Sequence, residues 1–242
     1  MNGWNHAASL NHVLLQRFSC RGFLLRAVPR PTQEAILAMA QRSASWCNSQ
    51  PWQVHITEGL ATERLRKALS APARADEPGP DFDWPLEYRG VYQERRRACG
   101  LALYESVGIE RGDRKGAARQ AQENFRLFGA PHVALISTDA ALGTYGAIDC
   151  GGYVACFMLA AASLGISTVA QAALAARPQR VRDFFGLGPD RRIVCGISFG
   201  FADPQHPANS FRTARAGVET AASWVTDPDL PQAPQSPADG AR

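Results

Sequence analysis

The sequence predicts a fold of mixed helices and strands arranged around one apolar helix, and three observations predict it. Residues 145–164 are apolar nearly all round, rich in Gly and Ala, and stopped by Gly165. Such a helix belongs in the middle of a fold or against another subunit. Residues 192–201 alternate Ile193, Cys195, Ile197 and Phe199 against Val194, Gly196, Ser198 and Gly200. That strand has one bulky and one small face, which suits a central position under a closely packed helix. Third, Gln41 to Thr57 begins as the end of a helical pattern and closes as a strand, crowding Ser45, Asn48, Ser49 and Gln50 between Trp46 and Trp52. Pro51 biases Gln50 away from the α region and towards extended backbone, so the helix stops there. The segment reads either as an ordinary connection with a tryptophan anchored in the core, or as amides and rings set for a flat, polar-edged ligand.

The remaining elements follow in order. Residues 11–16 form a short helix leading into Arg17-Phe18-Ser19-Cys20-Arg21-Gly22-Phe23. Two arginines four apart around a serine are either exposed connector residues or two guanidinium forks for one anion. Pro31 and Thr32 open a helix through Ile36, Leu37 and Ala40, with proline at an early position that helices tolerate. Gln53 to Thr57 alternates as a strand with Val54 and Ile56 on one face. Glu63 to Leu69 is helical, and the proline-rich stretch 71–90 is loop. Helices span Val91 to Val107 and run from Asp113 to near Gly129-Ala130-Pro131, and His132 to Ser137 is a buried strand. Ile166 to Gln171 is extended, Pro178 to Phe185 is a short helix ended by Gly186, and the proline-rich tail after Asp227 is expected to be disordered.

Composition narrows the function. The 242 residues suit one large domain or two small ones, and 45% hydrophobic with 20% charged residues supports a full core. A balance of 26 basic against 22 acidic residues, formally +4, is too mild to argue for nucleic acid. Arg95-Arg96-Arg97 reads as a solvated helix face. The six cysteines have no Cys-x-x-Cys spacing, which argues against a zinc or thioredoxin-like centre, and a disulfide framework is not expected. The start lacks an apolar signal core, and the run from Tyr153 to Leu164, broken by Ser163, reads as too short to span a bilayer. A reducing cytoplasm is the expected location. The five histidines show no ligand spacing and are read as structural. Asp149 is read as a charge near a helix N-terminus, and Cys150 and Cys156 as packing residues.

Five pieces then occur in one order: Arg17-x-Ser19-x-Arg21-x-Phe23; Ser45-Trp46-x-Asn48-x-Gln50-Pro51-Trp52; Asn124-x-x-x-Phe128-x-Ala130-Pro131; the Gly-Gly helix with Leu164-Gly165; and Gly200-Phe201 followed by Asn209-x-x-Arg212-x-x-Arg215. Together they resemble the nitroreductase family of FMN-dependent flavoproteins over about residues 13 to 225, and most of all its nitrobenzoate-reductase-like branch. The resemblance implies an α+β three-layer sandwich with a mostly antiparallel central sheet. It also implies a homodimer with a swapped C-terminal segment and FMN at the dimer interface, in a domain spanning 11–226 with a tail at 227–242. In this family Arg17, Phe18, Ser19 and Arg21 would hold the FMN phosphate and ring edge, and Arg212 and Arg215 would complete the phosphate clamp. Ala44, Ser45, Trp46 and Asn48 of the second subunit would face the pyrimidine edge and ribityl chain. Asn124 would bond the flavin's polar edge, and Gln171 and Ala172 would place a backbone donor near N5.

The activity so implied is ping-pong reduction of a nitroaromatic or quinone-like acceptor, with NADH or NADPH passing hydride through flavin N5. No protein nucleophile, general acid or metal is required, and neither nucleic acid nor membrane is an expected partner. Trp84, Tyr88, Tyr92, Tyr104 and Phe125 are candidate channel walls, each equally able to be core. Other reactions on the same flavin (reductive dehalogenation or flavin fragmentation) and a non-catalytic FMN-binding or sensing protein are the rival readings.

Overall fold

The computed structural model describes residues 6–72 and 77–225; the tail at 227–242 lies outside them. Strand β1 is Gln53–Thr57, β2 is His132–Asp139, β3 is Ser167–Gln171 and β4 is Arg191–Gly200. They form one sheet in the order β1-β2-β4-β3, with every pairing between them antiparallel. Seven of the eight residues of β2 are buried, so the strand needs cover on both faces. One cover is α2 (Arg30–Ala40) with α6 (Gly143–Ser163), whose Ile36, Tyr153 and Phe157 pack on Ala134, Ile136, Ile197 and Phe199. The other is α3 (Leu60–Ser70) and α7 (Pro178–Phe185), whose Leu65, Leu69 and Val181 pack on Val133 and Leu135. The result is the α+β three-layer arrangement expected.

Two details depart from the pattern of β4. Ile193 lies with Val133 and Leu135 rather than with Cys195, Ile197 and Phe199. The cause is a bulge: Ile136 pairs with Cys195 and Ser137 with Ile193, so Val194 is extra and the alternation flips. The small face, moreover, is not covered by the apolar helix. Leu174, from the 3₁₀ turn at Ala172–Ala176, fills it, and a Cβ on Gly196 would lie 2.3 Å from Leu174 Cδ1.

Helix α6 begins at Gly143, so Asp149 is nearly two turns inside it and not at its N-terminus. Its carboxylate accepts the Trp46 N–H at 3.1 Å. The helix is also longer than the apolar run suggested, and by length and composition alone it is sufficient to cross a bilayer. Tyr153, Val154, Phe157 and Ala161 are nevertheless buried against α2 and the sheet, which is the packing of a core helix. On its opposite side Tyr145, Ile148, Gly151, Gly152 and Ala155 are exposed. A single copy of the chain therefore covers one face only. Helix α1 (His6–Gln16) and helices α4 (Gly90–Ser106) and α5 (Arg114–Gln122) lie outside the layers, and α1 and α4 bury no residue.

All six cysteines are free. Burial pushes the Cys150 thiol up to about 11 and that of Cys195 to about 12, so both are protonated packing groups. His132 is likewise structural. Its Nε2 accepts the Val28 N–H at 2.9 Å, its Nδ1 faces the Thr57 carbonyl at 3.2 Å, and its ring stacks on Phe199. This set requires a neutral imidazole with the proton on Nδ1, and burial lowers its pKa accordingly. Below the ordinary value of 6.5 the unfolded chain binds a proton that the folded His132 resists, so stability falls as pH drops through that window. Urea midpoints should decline between about pH 7.5 and pH 5.5 in the wild type and decline less in His132→Asn; equal declines would acquit the imidazole.

Candidate functional site

Residues 17–24 run extended between β3 and the chain leaving β4. Ser19 bridges Thr168 in parallel and Phe23 bridges Ala202. The Cys20 N–H donates to the Thr168 carbonyl at 3.0 Å, and the Leu24 N–H donates to the Phe201 carbonyl at 2.9 Å. In such a strand alternate residues share a side, so Arg17, Ser19 and Arg21 project together while Cys20 is fully buried. The Cys20 thiol, pushed up to about 11 by burial, donates to the Gly22 carbonyl and takes no part in the open side. Gly22 is needed for close approach, since a Cβ there would meet the His206 ring at 2.1 Å.

Asn209 fastens this strand to the C-terminal segment. Its Oδ1 accepts the Arg21 N–H at 2.8 Å, and its Nδ2 donates to the carbonyls of Gly22 (2.8 Å) and Asp203 (2.9 Å). The side chain is 8% exposed, so these bonds form largely out of water. The chain then carries Arg212 and Arg215 back over the strand. The Arg212 guanidinium lies 3.9 Å from the Phe18 ring centroid and donates to the Asn209 and Phe211 carbonyls at 2.8 Å.

Arg17, Ser19, Arg21, Arg212 and Arg215 thereby line one cavity of about 530 Å³, and no carboxylate lines it. Burial, and after it the charge of Arg215, lowers the Arg17 pKa; burial also lowers that of Arg21. Four guanidiniums without a counter-charge repel one another, and an anion with several oxygens relieves that repulsion while accepting paired N–H donors. The donor set fits a phosphate group.

Arg21 also lines a second cavity of about 250 Å³, shared with Tyr104, Asn124, Phe128, Val169 and others. Asn124 follows α5, and the turn beyond it holds Leu127 (φ 58°) and Phe128 (φ 51°) in the left-handed region. Such residues cost roughly 1–3 kcal/mol each and persist where packing enforces them. Here Leu127 and Phe128 are buried in two separate clusters. Gln171 fixes Asn124 from below: its Nε2 donates to the Asn124 carbonyl at 2.9 Å, and its Oε1 accepts from Ser198 Oγ at 2.5 Å. The Gln171 side chain is thus committed to Asn124 and Ser198, and Ala172 opens the exposed start of the next turn.

Ala44, Ser45, Trp46 and Asn48 line neither cavity. They lie beside the uncovered face of α6, where Trp46 meets Tyr145 edge-on at 4.4 Å. Ser45 Oγ accepts the Gln50 N–H at 2.9 Å, closing a turn in which Cys47, Asn48 and Gln50 have φ of 50°, 55° and 47°. Gln50 is therefore left-handed rather than extended: Pro51 excludes the right-handed helix, and the Ser45 bond selects the rest. Trp52 has the core role open to it, stacked on Tyr153 and donating to Gln41 Oε1. Of the five aromatic wall candidates, Tyr104 lines the Asn124 cavity and Phe125 packs in the α3–α7 core. Trp84, Tyr88 and Tyr92 are exposed and line neither cavity. Sequence reading gave no role to Asn209, whose three-residue spacing from Arg212 was the only sign of it, and missed Cys99 and Phe211, which also line the arginine cavity.

Comparison with known proteins adds the following. The Nitroreductase family model matches residues 14–201. The chain is 34% identical over 217 residues to Nitroreductase NfnB of Mycolicibacterium smegmatis, covering 88% of this chain and 91% of that protein. It is 32% identical over 203 residues to a 4-nitrobenzoate reductase of Pseudomonas putida, covering 84% and 89%. The crystal structure of the FMN-dependent nitroreductase NfnB from Mycobacterium smegmatis in complex with NADPH matches with a TM-score of 0.84 at 33% identity, over 90% of this chain and 99% of that one.

Asn209→Ala removes one acceptor and two donors at a buried junction. It should cost about 1–3 kcal/mol in denaturant unfolding and weaken binding of inorganic phosphate at the arginine cavity. Unchanged stability together with unchanged phosphate binding would show that the segment is held by other contacts.

Proposed function

The chain belongs to the nitroreductase family, and from that membership we propose that it is an FMN-dependent NAD(P)H oxidoreductase reducing nitroaromatic or quinone-like acceptors. The observation that carries this reading is the pair of cavities joined at Arg21, one walled by arginines without a carboxylate and the other by Asn124 and apolar groups. A phosphate at one end and a flat heteroaromatic ring at the other is the ligand such a pair suits.

Bound FMN supplies the two-electron chemistry, accepting hydride at N5 from a reduced nicotinamide and returning it to an acceptor in the same slot. The chain's own residues bind and orient. Arg17, Ser19 and Arg215 clamp the phosphate, with Arg212 held beside them by Phe18 and the Asn209 carbonyl. Phe18 gives that corner its apolar wall. Arg21 serves the polar edge of the ring, Asn124 hydrogen-bonds it, and Gln171 keeps Asn124 in place. Ala172 retains the backbone N–H expected near N5. No side chain is assigned a proton-transfer or nucleophilic role.

The working unit of this proposal is a homodimer. Tyr145, Ile148 and the Gly151–Gly152–Ala155 face of α6 are uncovered, and the C-terminal segment leaves Val218, Trp224 and Val225 exposed. Covering side chains of this size stabilises an assembly by about 1.5–3 kcal/mol each. A second copy on the α6 face places its Ala44–Asn48 turn towards the flavin site, while the segment approaching residue 226 crosses onto it. The strained φ values of Cys47, Asn48 and Gln50 suit a ligand clamp. Residues 11–226 form the functional unit, and six free thiols suit a reducing cytoplasm.

The purified protein should be yellow, bleach on addition of NADH or NADPH, and recover colour with 4-nitrobenzoate. Arg215→Ala should bind FMN at least about tenfold more weakly, the loss expected for one charge-assisted hydrogen bond. Full FMN occupancy in that variant removes the phosphate role, and a colourless wild type indifferent to added FMN removes the function. Asn48→Ala should keep part of its flavin but reoxidise at an altered rate; wild-type kinetics would take that turn out of the site.

A further inference from the structure

A larger cavity, of about 860 Å³, lies against the same arginines. Arg212 and Arg215 wall both it and the phosphate cradle. Its other wall is α4, which contributes Arg95, Ala98, Cys99 and Ala102. The spacing i, i+3, i+4, i+7 puts these four on one helix face. Ala214 and Ala216 add small apolar groups, and no carboxylate lines the space. Arg95 is exposed and forms no ion pair among the described residues. Its neighbour Arg96 is committed differently, 5.1 Å from the Tyr88 ring centroid.

One phosphate does not occupy all of these cations. Arg17, Ser19 and Arg21 belong to the cradle alone, Arg212 and Arg215 stand between the two spaces, and Arg95 belongs only to the larger one. The proposed reaction, on which this inference rests, requires a second anionic ligand: the nicotinamide dinucleotide. Tyr104, nine residues along α4 from Arg95, lines the cavity at the ring end of the site. At 1.5 Å per residue the two positions are roughly 13 Å apart along the helix axis. That separation reaches past the pyrophosphate of a dinucleotide whose nicotinamide lies at the ring, towards its adenosine. The small, flat lining of Ala98, Ala102, Ala214 and Ala216 suits a purine nucleoside, and an arginine at its end suits a terminal phosphate monoester.

We propose that this trough takes the adenosine half of the nicotinamide donor, and that Arg95, with Arg215, recognises the 2′-phosphate that distinguishes NADPH from NADH. Arg95 is then a specificity residue for the donor and leaves hydride transfer itself untouched. A site that pairs with a phosphate oxygen discriminates strongly against the ligand lacking it, because its donors are left without a partner.

The test uses the FMN-loaded protein, with kcat and KM measured separately for NADPH and NADH against one nitroaromatic acceptor. The wild type should favour NADPH at least about tenfold in kcat/KM, the worth of one charge-assisted hydrogen bond. Arg95→Ala should raise KM for NADPH by a similar factor, with kcat for NADPH and both constants for NADH held, and Arg95→Lys should recover part of the loss. Calorimetric titration with adenosine 2′,5′-bisphosphate should show tighter binding than 5′-AMP in the wild type and equal binding in Arg95→Ala. Equal use of both donors by the wild type overturns the proposal. So does an equal loss with both donors in Arg95→Ala, which would assign Arg95 to the pyrophosphate, or a loss of FMN, which would assign it to the cradle. Failure to bind FMN or to oxidise either donor is a separate result, against the function itself.

Discussion

Four guanidinium groups gathered around one cavity without a carboxylate repel one another, and the fold must hold them there by other means. Asn209 is the main device. By accepting from the Arg21 backbone and donating to the Gly22 and Asp203 carbonyls, it locks the strand carrying Arg17, Ser19 and Arg21 to the segment carrying Arg212 and Arg215. The strand is in turn bonded to β3 through Thr168, and β3 to the central β4. The charge cluster therefore rests on the sheet, and the binding energy of an anion is not consumed in assembling the site.

The same logic runs through the second cavity. Asn124 stands after a short helix in a turn with two left-handed residues, a position a free loop would abandon. Gln171 at the end of β3 and Ser198 in β4 form a buried relay that holds it. Arg21 and Asn124 are both reached from β3, one from the bridge at its start and the other from its last residue. One edge strand thus sets the distance between the two ends of the site. Helix α4, with no buried residue of its own, closes over both ends and is the element free to vary in what it presents.

Much of this was legible beforehand, for identifiable reasons. Periodicity located every strand and every long helix, because a face that must be buried repeats at the period of its backbone. The extended Arg-x-Ser-x-Arg spacing revealed a shared side for three polar groups, and the strong turn chemistry of Asn-x-Gln-Pro-Trp located the second half of the site. Where the reading failed, a non-local contact had decided. The bulge at Val194 moved Ile193 to the other face, a change that depends on pairing with β2 and leaves the composition of β4 untouched. Asp149 was assigned to a helix terminus that lies further back, and its partner proved to be a backbone N–H more than a hundred residues away. Gln50 took a left-handed φ because Ser45 accepts its N–H, which Pro51 alone does not specify.

The sequence by itself determined the layers, the elements and the residue types of the site, since these follow from local backbone preference and from which side chains tolerate water. It also determined that one apolar helix had more surface to hide than a single sheet face requires. Tertiary structure alone decided which polar groups meet. Asn209 and Arg21 are 188 positions apart, Gln171 and Asn124 are 47 apart, and no pattern in the intervening chain encodes either distance. Hydrogen bonds between such groups are short-ranged and directional, so they exist only once packing has fixed both backbones. That is why the amino acids of the site could be named in advance while the devices that hold them in place appeared only in the folded chain.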